Sequence, residues 1–197
     1  MVTVLFADIR GYTTMSEHAS PEEIVNLLNR YLTIGTECVF AHGGTVDKFI
    51  ADAIAACFNA PLPQEDHVQR AVQAARAMRE RIVGAADGAG IGCGIGLHTG
   101  VAIVGNIGSP QLMSYTVIGD AVNVASRLQS NAGAGEVLIS DAVYDHMRGR
   151  VEVEPLPEPL QVKGRVAAVP VYRLKGLKPE GQSVNGSVPV AIPQAAA

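Results

Sequence analysis

Two aspartates, Asp8 and Asp52, stand where a carboxylate can do chemistry. Asp8 closes the apolar run Val2-Thr-Val-Leu-Phe-Ala-Asp8 and precedes Ile9-Arg10-Gly11, while Asp52 lies in Ala51-Asp52-Ala53 between two further apolar runs. Taken singly, each suits a turn as well as a metal, because Asp readily bonds backbone in turns. Brought to one end of neighbouring strands, they supply two hard oxygen donors of the kind that suit Mg²⁺ or Mn²⁺. Two such ions about 3.5–4 Å apart favour in-line displacement at phosphorus.

Three further polar residues stand out. Lys48 alternates with Val46 and Ile50 on the run that leads into Asp52. A strand lysine is commonly a solvated edge residue, but this one shares a face with apolar neighbours and so suits a site or an interface. Asn123 and Arg127 are four apart in Asp120-Ala-Val-Asn-Val-Ala-Ser-Arg-Leu128, which puts them on one helix face. Such a pair makes a polar surface, or it holds a ribose and stabilises charge on a transferring phosphate. Val122, Ala125 and Leu128 serve the core. His98 reads as a structural histidine, because no second His or carboxylate has metal-ligand spacing to it. His18, His42, His67 and His146 read as surface or loop residues.

The elements that must position these groups follow from pattern. Val2–Asp8 predicts a buried strand. Ser20-Pro21-Glu22-Glu23 has the cap residue, the first-turn Pro and the Glu of a capping box. The helix it opens runs through Ile24, Leu27, Leu28, Tyr31, Leu32 and Val39 to Gly43-Gly44. Residues 45–50 and 54–58 predict a hairpin, and Val68 to Ile82 a second amphipathic helix. Residues 91–104 are β-like, 106–109 a turn and 113–118 a strand. Helices are predicted at 120–129 and 141–147, with a strand at 136–139 between them. After a Pro-rich loop, 160–164 and 170–174 predict a terminal hairpin.

The order β-α-β-β-α-β is that of a ferredoxin-like α/β (α+β) half-sandwich, with an added C-terminal helix and strands. Helices are expected on one face of the sheet, leaving the other for a different cover such as a partner chain. Residues 1–177 form the expected domain, and 178–197, rich in Pro, Gly, Ser and Ala, an expected disordered tail. A core strand that begins at residue 2 suggests a piece of a longer protein.

Composition narrows the class. A formal charge of −4 over 197 residues offers no basic stripe and argues against nucleic acid as a partner. Three dispersed cysteines, Cys38, Cys57 and Cys93, lack CxxC spacing and read as buried thiols. No signal peptide or membrane-spanning run is present, so a cytoplasmic, reducing location is expected.

Four segments together resemble the class III adenylyl cyclase catalytic domain. They are Phe6-Ala-Asp8-Ile-Arg-Gly-Tyr-Thr13, Lys48-Phe-Ile-Ala-Asp52, Gly94-Ile-Gly-Leu-His-Thr-Gly100 and Tyr115-Thr-Val-Ile-Gly-Asp-Ala-Val-Asn-Val-Ala-Ser-Arg127. They occur in the family's order over about residues 2–175. The resemblance implies conversion of ATP to cyclic AMP and pyrophosphate at sites shared across a homodimer. It implies two divalent metal ions, Mg²⁺ or Mn²⁺, held by Asp8 and Asp52 with help from the Ile9 carbonyl. Lys48 and Thr116 would read the adenine, Asn123 would orient the ribose, Arg127 would stabilise the transition state, and Lys163 would contact the triphosphate. Residues 106–116 resemble the family's dimerisation arm. No residue has the setting of a dedicated general base.

Two positions depart from the common pattern. Ala51 stands where the family usually has Gly, and it would be strained if the turn needs positive φ. Thr116 stands where many relatives have Asp, as in the soluble, bicarbonate-responsive type, so bicarbonate becomes a candidate activator. Lys48 and Thr116 argue against a guanylyl cyclase, and Phe49-Ile-Ala-Asp-Ala53 is not the Gly-Gly-Asp/Glu-Glu-Phe hairpin of a diguanylate cyclase. A catalytically weak or inactive regulatory domain that only binds nucleotide is the competing class. Such domains usually lose a metal Asp, the Asn or the Arg, and all are present here.

Overall fold

The computed structural model describes residues 1–84, 92–162 and 167–179. Strand β1 (Val2–Ile9) pairs antiparallel with β3 (Ala53–Phe58) on one side and β4 (Cys93–Gly100) on the other. With β2 (Thr45–Ile50) outside β3, the order β2-β3-β1-β4 is the ferredoxin-like arrangement. Beyond β4 lie β7 (Val137–Ser140), β9 (Val171–Leu177) and β8 (Val151–Pro155), with β7 parallel to β4.

Alternation along β1 divides the core in two. Leu5, Ala7 and Ile9 face helices α2 (Pro21–Ala41), α3 (His67–Gly84) and α5 (Asp141–Met147). Fully buried Leu5, Ile54 and Phe58 anchor that layer, each contributing about 1.5–3 kcal/mol of transfer free energy. The capping box is present at α2: Ser20 Oγ accepts from Glu23 N at 3.3 Å, and Ser20 N donates to Glu23 Oε2 at 2.8 Å.

Val2, Val4 and Phe6 face the other way. There they pack against Ala121 and Ala125 of α4 (Asp120–Asn131) and Val117 of β6 (Leu112–Ile118). The second face is therefore covered in part by the chain's own α4, which corrects the expectation that helices lie on one face only. The contact needs a glycine, because a Cβ on Gly96 would overlap Gln129 N and the Ala125 carbonyl.

Other corrections follow from pairing that the sequence does not display. Residues 106–109, expected as a turn, belong to β5 (Ile103–Ser109), which forms an antiparallel hairpin with β6. The strand that pairs with β9 in a hairpin is β8 rather than 160–164; residues 163 and 164 lie outside the described residues, and among the described ones Leu160 forms a bridge with Val169. A short helix, α1 (Tyr12–His18), follows Gly11, whose φ of 79° is left-handed. The expected tail lies outside the described residues from position 180 onward. Among the described residues, no helix is long and apolar enough to cross a membrane.

The cysteines are buried, as expected, and free. Burial pushes the Cys57 thiol up to about 11 and Cys93 to about 12. His67 is not a surface residue: it is 8% exposed, and its Nδ1 lies 2.7 Å from Thr3 Oγ1. His98 is buried with Nδ1 2.8 Å from Ser140 Oγ, in keeping with a structural role.

Candidate active site

The β1–β3 pairing carries Asp8 and Asp52 to the same end of the sheet, since Ala7 lies opposite Ile54. There Asp52 lies close enough to Asp8 for the two carboxyl groups to influence each other. Burial, and then the neighbouring Asp8 carboxylate, push Asp52 up to about 7. Asp8 is held on one side only. Its Oδ2 accepts from Gln129 Nε2 at 3.1 Å and lies 3.7 Å from an Arg10 nitrogen, whereas Oδ1 is buried without a hydrogen-bond partner among the described residues. Arg10 in turn donates to the Gln129 carbonyl and fills the space above Gly94. An unpartnered carboxylate oxygen beside a second carboxyl that resists ionising fits a hard divalent cation.

The turn before Asp52 has the conformation that the sequence put in question. Ala51 adopts φ 52°, a left-handed value that favours glycine. Asp52 nevertheless stays beside Asp8. Ala51→Gly should therefore stabilise the domain by about 1 kcal/mol, raising Tm by about 2–4 °C. A scanning-calorimetry comparison in which Tm falls would show that the turn is unstrained.

Lys48 and Thr116 meet across β2 and β6, with Lys48 Nζ 2.9 Å from Thr116 Oγ1. Thr116 is buried and Lys48 is exposed. On α4, Asn123 and Arg127 are both exposed, and with Ser126, Ser130 and Val162 they line an open cleft of about 450 Å³. Lys163 lies outside the described residues, but Val162 directly before it lines this cleft.

The predicted residues thus form three groups. Among the described residues, no hydrogen bond or ion pair joins the side chains of Asn123 or Arg127 to Asp8, Asp52, Lys48 or Thr116. Helix geometry gives the reason. At about 100° per residue, Arg127 points roughly 200° away from Gln129, the α4 residue that touches Asp8. Sequence reasoning missed Arg10, Gln129 and Asp47. Arg10 lay inside a recognised segment, Asp47 lay beside Lys48, and Gln129 carried no local signal.

Residues 1–176 match the model of the Adenylate and Guanylate cyclase catalytic domain. The chain belongs to that family. It is 39% identical over 185 residues to "Adenylate cyclase 1" of Rhizobium meliloti (strain 1021), covering 89% of this chain and 28% of that protein. With "Adenylate cyclase" of Anabaena cylindrica it shares 34% over 183 residues, 88% of this chain and 36% of that one. The chain therefore spans about a third or less of the length of these two relatives.

Among solved structures, the adenylyl cyclase CyaB of P. aeruginosa superposes with a TM-score of 0.81 at 36% identity, covering 88% of this cyclase domain and 92% of that chain. The guanylate cyclase domain of RhGC from Catenaria anguillulae, in complex with GTP, gives 0.81 at 30%, covering 90% and 97%. An adenylyl cyclase and a guanylate cyclase domain thus superpose on this backbone equally well, so the fold does not choose the base.

Proposed function

We propose that this cyclase domain converts ATP to cyclic AMP and pyrophosphate at composite sites in a homodimer. The observation that carries the reading is the orientation of α4. Its inner face holds Gln129 against Asp8, and its outer face presents Asn123 and Arg127 to solvent. One chain directs the two halves of the machinery away from each other, so a second copy must complete each site. The β5–β6 hairpin exposes Ile103, Leu112, Met113 and Tyr115, and β2 adds Phe49 and Ile50, an apolar surface suited to that partner.

Asp8, the Ile9 carbonyl and Asp52 would hold two divalent ions, Mg²⁺ or Mn²⁺, which would offset charge on the carboxylates and the triphosphate. Asn123 holds the ribose so that its 3′-hydroxyl lies in line with the α-phosphorus. Arg127 donates to the oxygens that gain charge as pyrophosphate leaves, and Lys163 contacts the triphosphate. Lys48 and Thr116 select adenine, which is the residue-level basis for ATP over GTP.

The test is cyclic-nucleotide production from ATP and GTP with Mn²⁺ and with Mg²⁺. Cyclic AMP formed in preference to cyclic GMP, and lost on chelation, supports the reading. Nucleotide binding without any cyclic product would favour the inactive regulatory class instead. Thr116 also supports responsiveness to bicarbonate, so bicarbonate added at constant pH should raise turnover of ATP.

A further inference from the structure

A threonine hydroxyl can donate or accept, so Thr116 by itself does not distinguish a 6-amino purine from a 6-oxo purine. The structure surrounds this hydroxyl with groups that remove the ambiguity. Thr116 Oγ1 donates to Asp47 Oδ2 at 3.0 Å, and a carboxylate can only accept. Lys48 Nζ, which can only donate, occupies one of the two lone pairs of the same oxygen at 2.9 Å. Lys48 and Asp47 also pair directly at 3.6 Å. The Asp47 side chain is only 10% exposed, so the interaction is poorly screened.

Adjacent strand residues normally point to opposite faces, yet Asp47 and Lys48 both reach Thr116. The cause is local: the β2–β3 register shifts between Val46 and Lys48, and such a bulge re-aims side chains.

We infer that Asp47 is a specificity-determining positioning residue, which commits the Thr116 proton and leaves Thr116 as an obligate acceptor for the exocyclic amine of adenine. The inference rests on the reading that Lys48 and Thr116 face the purine. With its proton bound to Asp47 and one lone pair bound to Lys48, Thr116 retains one lone pair. Lys48 retains a donor hydrogen. The site therefore presents one acceptor and one donor, which matches the 6-amino group and N1 of adenine. A 6-oxo purine carries an acceptor and an N–H at those places, and both contacts become repulsive.

The experiment compares kcat/KM for ATP, purine riboside triphosphate (hydrogen at position 6) and inosine triphosphate (oxygen at position 6). The proteins are the unmodified domain, Asp47→Leu, Asp47→Asn and Thr116→Val. Ratios between substrates within one protein cancel any loss of folded material, and Asp47→Ala replaces the Leu variant should that one not fold. The unmodified domain should prefer ATP over the 6-hydrogen analogue by about 100-fold or more. Asp47→Leu should cut that preference at least about tenfold, while Asp47→Asn, whose amide oxygen still accepts, keeps most of it. Asp47→Leu should also raise inosine triphosphate turnover relative to the 6-hydrogen analogue, because the freed hydroxyl can donate. Thr116→Val should not, because it has no proton to give. An unchanged ATP preference in Asp47→Leu, beside its collapse in Thr116→Val, would overturn the inference and leave the adenine assignment standing. An unchanged preference in Thr116→Val would remove the adenine assignment itself, and the inference with it.

Discussion

Asp8→Ala and Asp52→Ala should each lower cyclic-AMP formation by at least about 10³-fold, the rate equivalent of several kcal/mol of lost metal-centred stabilisation. The fold should not suffer with the activity. Asp52 sits beside Asp8 under desolvation and like-charge repulsion that push its carboxyl up to about 7, so the metal-free pair is a source of instability. Removing one carboxylate relieves that repulsion. Tm without metal should stay equal or rise, as expected where a functional site costs stability. Mn²⁺, which should raise the Tm of the unmodified domain by binding the folded state, should no longer do so in either variant. Asp8→Asn is the sharper form, because it keeps the volume that packs beside Gln129 and removes the charge. Activity within tenfold of the unmodified domain, or an undiminished Mn²⁺ effect on Tm, would remove these carboxylates from the site.

Arg127→Ala should lower kcat by about 10²–10³ with little change in KM, since its guanidinium is assigned to charge that develops only in the transition state. Arg127 is exposed on α4, so truncation should change the stability of the domain by no more than about 0.5 kcal/mol. Mixing is the more informative arm. In a two-fold symmetric dimer, an Asp8→Ala chain paired with an Arg127→Ala chain has one site carrying both lesions and one carrying neither. Random pairing makes half the dimers mixed, so activity should return to roughly a quarter of the unmodified level. Two inactive variants that stay inactive on mixing, while still exchanging subunits, would place all the machinery on one chain.

How far the sequence carries depends on how local the cause is. Strand β1 was legible because β-branched and apolar residues run together, and α2 because Ser20, Pro21 and Glu23 mark its start within four positions. Asp8, Asp52, Lys48, Thr116, Asn123 and Arg127 were legible as candidates because their segments recur in order. The edge strand β8 was not. Val151-Glu-Val-Glu-Pro155 ends in proline, and Glu154 meets its partners across β9, in Arg173 and Lys175. Nor was the second half of β5, whose Asn106, Gly108 and Ser109 read as turn until β6 lies against them.

Local pattern along the chain was enough for the β-α-β-β-α-β order of the half-sandwich, and four segments in the family's order were enough for the resemblance and for the candidate residues it nominates. Tertiary structure alone decided which oxygen of Asp8 is left free, that Gln129 arrives from 121 positions away to bind the other, and that Asp47 fixes the Thr116 proton across 69 positions. The physical reason is that a side chain's donor or acceptor state is set by whatever packs against it. Those neighbours are chosen by α4 crossing Gly96 and by β2 meeting β6, contacts that no local pattern encodes.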